Sequence, residues 1–238
     1  MTTSWLTIDV DGRPMRAFLA QGDAPGPGVL VLQEIFGVNA HIQDVCKRLA
    51  DAGFTALAPD LYHRTAPGLD LLYAPDDVTE GRQHKDRVLA QELLADLAAA
   101  AAELGRQAAT GPLGVMGFCF GGFCTVVAMT HLPFAAGAAF YGGGLPHGTP
   151  GIPSPLPDLA EVKGELLAFF GGRDPLIPTQ DITTLRRALA EHGVTHAVQV
   201  YDDATHGFFC DLRASHDPDA AAQAWARTLS LLRRRLVS

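Results

Sequence analysis

The chain has 238 residues, of which 47% are hydrophobic and 18% charged, with a formal net charge of −8. That composition excludes a disordered chain and suits one α/β domain over residues 1–238. The acidic balance argues against a nonspecific nucleic-acid binder, which needs basic surface to displace phosphate counterions. It does not exclude an anionic substrate, because one arginine can dominate the field inside a pocket. Residues 1–18 have neither a basic leader nor an apolar core segment, and no apolar run is long and uncharged enough to span a bilayer. The expectation is a cytoplasmic protein, monomeric or a small homo-oligomer, that binds neither membrane nor nucleic acid. Its four cysteines, Cys46, Cys119, Cys124 and Cys210, form no CxxC pair and no Cys/His tetrad, so free thiols, no metal and no cofactor are expected.

Two short segments, 4–10 and 14–20, flank Asp11-Gly12 and predict an antiparallel hairpin. Gly28–Gln33 is a short apolar run bounded by Gly and Pro, the mark of a buried parallel strand. Ile42, Val45, Cys46 and Leu49 share one face of a helix over 39–52, which Gly53 ends. A strand over 54–58 closes at Pro59-Asp60, and 60–80 shows no period and predicts a long loop. Residues 81–107, rich in Ala, Leu, Gln and Glu, predict one long helix. Strands over 113–117, 135–141, 165–170 and 196–201 then alternate with helices over 120–132, 179–192 and 217–236. The alternation implies a mostly parallel sheet with helices on both faces and a ligand site beyond the carboxyl ends of its strands.

The stretch Gly117-Phe118-Cys119-Phe120-Gly121-Gly122 fits the nucleophile elbow, G-x-nucleophile-x-G, with cysteine where serine usually stands. A sharp strand-to-helix turn strains the nucleophile and leaves no room for side chains at 117 or 121. The helix N-terminus behind it favours thiolate over thiol. Asp174 follows an apolar strand in a turn marked by Pro175 and Pro178, and His206 follows the last strand. Nucleophile, acid and histidine thus come in the chain order of the α/β-hydrolases. His206 would take the Cys119 proton and later protonate the leaving group, and Asp174 would orient the imidazole. The Phe120 N–H would donate to the oxyanion, joined by an N–H from the loop after strand 28–33.

Gln33-Glu-Ile-Phe-Gly-Val-Asn39, Pro59-Asp-Leu-Tyr62, Gly117–Gly122 and His206-Gly-Phe208 together resemble the dienelactone hydrolase family, and the order of elements around them fits over nearly the whole chain. The resemblance implies an α/β-hydrolase fold and a carboxylic ester hydrolase of carboxymethylenebutenolidase type, acting through a cysteine thioester on a small ester or enol lactone. It implies that Glu34 approaches the resting thiol as a gate and transient base, and that the Ile35 N–H is the second oxyanion donor. It also implies a carboxylate-binding arginine four residues beyond the histidine, but position 210 is cysteine. Arg213 could stand in for it, and Arg82 or Arg87 could supply a second contact. On residue type alone, each of these arginines reads more simply as a solvated surface charge.

Two other functions fit the same residues: a low-turnover ligand-binding protein or receptor on this fold, and a redox sensor using Cys119, which lacks a convincing resolving cysteine. A thiol leaves as readily as it attacks, so expulsion of an amine competes poorly, and activated esters, enol lactones or thioesters are expected to be preferred over peptides.

Overall fold

The structure, a computed structural model, describes residues 1–237. The predicted hairpin is present as β1 (Thr2–Val10) and β2 (Arg13–Gln21), turning at Asp11 and Gly12, both at positive φ. The fully buried strands follow, β3 (Gly28–Leu32), β4 (Thr55–Pro59), β5 (Gly114–Phe118) and β6 (Ala136–Phe140). β7 (Glu165–Gly171) and β8 (Thr195–Tyr201) complete one sheet in the order β1-β2-β4-β3-β5-β6-β7-β8. β1 pairs with β2, and β2 with β4, in antiparallel fashion, and every other pairing is parallel. Small residues, Ala136, Gly137, Ala138 and Ala139, let helices approach the central strand β6 closely.

The helices are α1 (Ala40–Asp51), α2 (Pro75–Lys85), α3 (Ala90–Gln107), α4 (Phe120–His131), α5 (Thr179–Glu191) and α6 (Pro218–Leu236). α1 and α6 share one face of the sheet, where the Arg48 guanidinium lies 4.5 Å from the Trp225 ring centroid. α3, α4 and α5 cover the other face, with a short 3₁₀ turn at Leu156–Glu161 packed between α4 and α5. α1 begins at an Asn39 cap whose side chain accepts from the Ile42 N–H at 3.3 Å, and α6 at Asp217, which accepts from Ala220 at 3.0 Å. α4 is buried along its length from Phe120 to Thr130, so its sequence carries no polar face.

The region 60–107 departs from expectation. The predicted loop over 60–80 ends early, because α2 begins at Pro75 with the Asp77 carboxylate accepting from the Ala74 N–H at 3.0 Å. The single predicted helix over 81–107 is two helices, α2 and α3, parted at 86–89. Val88 is buried at the break, and the Ala90 N–H donates to the Gly151 carbonyl at 2.9 Å, so a loop from beyond β6 wedges between the two. No helix among the described residues is long and apolar enough to cross a membrane.

Candidate active site

Cys119 sits between β5 and α4 at φ +53°, ψ −111°, a backbone conformation that costs a non-glycine residue on the order of 1–3 kcal/mol. Its neighbours compel the turn. A Cβ on Gly117 would lie 2.2 Å from the Gly121 carbonyl oxygen, one on Gly121 2.2 Å from that of Leu32, and one on Gly122 2.4 Å from that of Phe140. The Cys119 N–H donates to Phe140 O at 3.0 Å and ties the bend to β6. The thiol is partly exposed, whereas Cys46, Cys124 and Cys210 are buried.

Asp174 follows β7. Its Oδ1 accepts from the Leu176 N–H at 2.8 Å, capping the turn, and its Oδ2 faces His206 Nδ1 at 2.7 Å. One aspartate thus shapes its own loop and orients the imidazole. The two loops are laced together: Gly172 N–H donates to Tyr201 O at 2.7 Å and Arg173 N–H to Ala204 O at 3.0 Å. Glycines at 171 and 172 permit this, since a Cβ on either would meet backbone oxygen of the His206 loop at 2.4–2.5 Å. His206 Nε2 is buried without a hydrogen-bond partner. Burial works against a charged ring there, but the Cys119 thiol in its ionised form and the Asp174 carboxylate outweigh it and push the histidine pKa up to about 10.

Cys119 and His206 line one cavity of about 350 Å³ together with Ile35, Phe120, Arg82 and Arg213. Lys85, which the sequence reading missed, lines it too, one helical turn beyond Arg82 on α2. No aspartate or glutamate is among the lining residues, so the cavity carries three cationic side chains against apolar walls from Phe36, Val78, Phe123 and Ile177. Arg87 instead borders a shallow depression with Arg64, Glu92 and Asp96 and does not reach the cavity.

Glu34 is fully buried behind this cavity. Its Oε1 meets Arg213 Nη1 at 3.3 Å, and its Oε2 has no partner. Burial raises the Glu34 pKa, against the lowering pull of Arg213 and His206. The Arg213 guanidinium lies 5.3 Å from the Tyr73 ring centroid and 5.8 Å from that of Phe36, so aromatic faces hold the cation. Tyr73 in turn accepts from Asn39 Nδ2 and from Cys210 Sγ, each at 3.2 Å. Cys210 is therefore a hydrogen-bonded member of this cluster. Tyr141, at φ +39° and fully buried, packs edge-on to His206 at 5.1 Å. Tyr73 and Tyr141 gave no signal in the sequence, because neither lies in a motif and both meet the site only through the fold.

The dienelactone hydrolase family profile matches residues 15–236. A provisionally named carboxymethylenebutenolidase of Synechocystis sp. is 40% identical over 239 aligned residues, covering 98% of this chain and 97% of that one. A similarly named protein of Escherichia coli K12 is 34% identical over 96% of this chain and 86% of its own length. Among solved structures, a provisionally named dienelactone hydrolase from Klebsiella pneumoniae superposes with a TM-score of 0.87 at 32% identity, covering 97% of each chain. A dienelactone hydrolase-like promiscuous phosphotriesterase from metagenomic libraries superposes with a TM-score of 0.79 at 25% identity, covering 99% of this chain and 98% of that one. With a profile match running from β2 to the end of α6, the chain belongs to the dienelactone hydrolase family and is a hydrolase.

Proposed function

We propose that this hydrolase cleaves small activated carboxylic esters or enol lactones through a thioester on Cys119, with His206 as general base and acid and Asp174 as its orienting partner. The observation that carries the proposal is His206: one ring nitrogen is held by Asp174 at 2.7 Å, and the other has no hydrogen-bond partner in the cavity it shares with Cys119. In the first step the Cys119 thiolate attacks the carbonyl carbon, and the oxyanion accepts from the N–H groups of Ile35 and Phe120. The tetrahedral intermediate expels alkoxide or enolate, which takes the His206 proton. Water then attacks the thioester, His206 receives its proton, and the acid leaves with the thiolate restored.

Glu34 serves as transient base for the resting thiol: its carboxylate exchanges Arg213 for the S–H proton as substrate binds and hands that proton to His206, which delivers it to the leaving group. Arg82 and Arg213 hold a carboxylate on the substrate, a role supported by the cationic, acid-free lining of the cavity. The provisional carboxymethylenebutenolidase names of the relatives point to the same substrate class.

Turnover of aryl acetates and unsaturated lactones tests the mechanism. Cys119→Ala is expected to lose activity by at least about 10³-fold, and wild-type protein quenched during turnover should carry the acyl mass on the peptide containing Cys119. Full activity in Cys119→Ala would exclude the thioester route.

A further inference from the structure

Arg82, Lys85 and Arg213 line one cavity in a chain whose net charge is −8, and the structure gives them unequal partners. Arg213 has the buried Glu34 carboxylate at 3.3 Å. No acid shares the cavity lining with Arg82. Lys85 pairs with Asp86, its neighbour in sequence, whose side chain is 46% exposed and does not line the cavity. Asp174, the remaining acid of the site, is committed to His206 at 2.7 Å and to the Leu176 N–H at 2.8 Å.

The helix builds Lys85 into the cavity wall. Val78, Arg82 and Lys85 follow one another at steps of four and three residues along α2, the spacing that puts side chains on one face, and all three line the cavity. Neighbours in sequence do not share a face, so Asp86 leaves that wall. The Lys85 side chain is 22% exposed, and its pair with a half-exposed carboxylate is weak and screened by water. An anion inside the cavity competes on better terms, because the apolar walls from Phe120 and Phe123 lower the local dielectric. At this end of α2 the loop 148–151 closes the space. A Cβ on Gly151 would lie 2.1 Å from the Val88 carbonyl oxygen, and Gly148, Thr149 and Pro150 are lining residues. The Thr149 hydroxyl is buried without a hydrogen-bond partner, a spare donor on the same loop.

We propose that Lys85 is a second anion-binding residue and that the substrate is a small dianion, an ester or enol lactone with one carboxylate at Arg82 and Arg213 and a second at Lys85. The inference rests on the carboxylate site of the proposed function and adds the second charge. A carboxylate offers about four lone-pair positions, which the forked donors of two arginines fill, so the ammonium is left for another group. The rise between Arg82 and Lys85, about 4.5 Å along the helix axis, suits two carboxylates a few carbons apart. A cavity of about 350 Å³ holds a molecule of that size.

Titration calorimetry of the wild-type protein with succinate, glutarate and adipate, each against its own monoamide, tests this without turnover. The members of a pair differ by one charge, and neither is an ester. In the best-fitting pair the dicarboxylate is expected to bind about tenfold more tightly than the monoamide. Lys85→Gln should erase that preference, Lys85→Arg should keep it, and Arg82→Gln should weaken both members. The monoamide titrated into Lys85→Gln controls for folding, because it needs Arg82 and Arg213 alone. Should Lys85→Gln lose the monoamide as well, Lys85→Met, which keeps the aliphatic stem, decides. Monoamides that bind as tightly as their dicarboxylates, or a preference that survives removal of the ammonium, overturn the inference and leave the carboxylate site standing. If no ligand binds, the carboxylate site falls and the inference with it.

Discussion

Gly207 links two parts of the site within one residue. It lies at φ +79°, next to His206, and a Cβ there would fall 2.5 Å from Arg213 Nη1. The obstacle is the far end of a flexible side chain, so Gly207→Ala should fold, at a backbone cost of about 1–2 kcal/mol, and displace the guanidinium. KM for a carboxylate-bearing ester is expected to rise about tenfold while a neutral ester of the same leaving group is cleaved as before. Equal losses on both esters would mean that His206, rather than Arg213, had moved. The same residues show what the sequence could reveal. Cys119, Asp174 and His206 were legible because each sits at a strand end within a turn whose shape dictates its neighbours. Arg213 was visible only as a displaced candidate, since its place depends on Tyr73 and Glu34, each more than a hundred residues away in sequence. Lys85 was not visible, because nothing distinguishes a cavity lysine from a solvated one until the helix that carries it is placed.

At the scale of elements, α2 is where the sequence reading failed and where it matters most. Pro75-Asp76-Asp77 holds the signal, proline at the first helical position with acids in the first turn, but Val78 is the sole large apolar residue before Lys85, so no periodic stripe announces a helix. Its one buried residue is Gly81, where a Cβ would lie 2.4 Å from the Ile35 carbonyl oxygen. The helix therefore rests on the backbone that carries a proposed oxyanion donor. Gly81→Ala must shift one or the other, and kcat on an aryl acetate is expected to fall roughly 10²-fold, the value of one misplaced donor, with KM changed far less. Gly105→Ala on α3 is the contrast. No atom lies within 4 Å of the added methyl, so stability should rise by about 0.5–1 kcal/mol with activity unchanged, as read by chemical denaturation and aryl acetate turnover.

At the scale of the whole molecule, the parallel sheet gathers residues far apart in sequence by bringing the carboxyl ends of β3, β5, β7 and β8 to one edge, and the alternation of strands and helices was enough to foresee that. The acidic response of the fold was not foreseeable, because it depends on which titratable groups are sealed. His41 is sealed on the sheet face covered by α1 and α6, and burial, reinforced by Arg48, Arg213 and His216 and opposed by Asp211, lowers its pKa from 6.5 to about 4. As pH falls through 6.5 the unfolded chain binds a proton that the folded chain refuses, so stability declines until pH 4, by roughly 3 kcal/mol in total. Glu34 acts in the opposite sense: burial raises its carboxyl above 4.5, so its contribution is full below that pH and is lost as pH rises. The two partly cancel in the wild type, which hides both from a simple acid melt. Comparing His41→Phe with wild type by urea denaturation across this range separates them. The variant should gain on the wild type by up to about 3 kcal/mol between pH 6.5 and 4, and a difference independent of pH would show that the folded protein admits a proton to His41 after all.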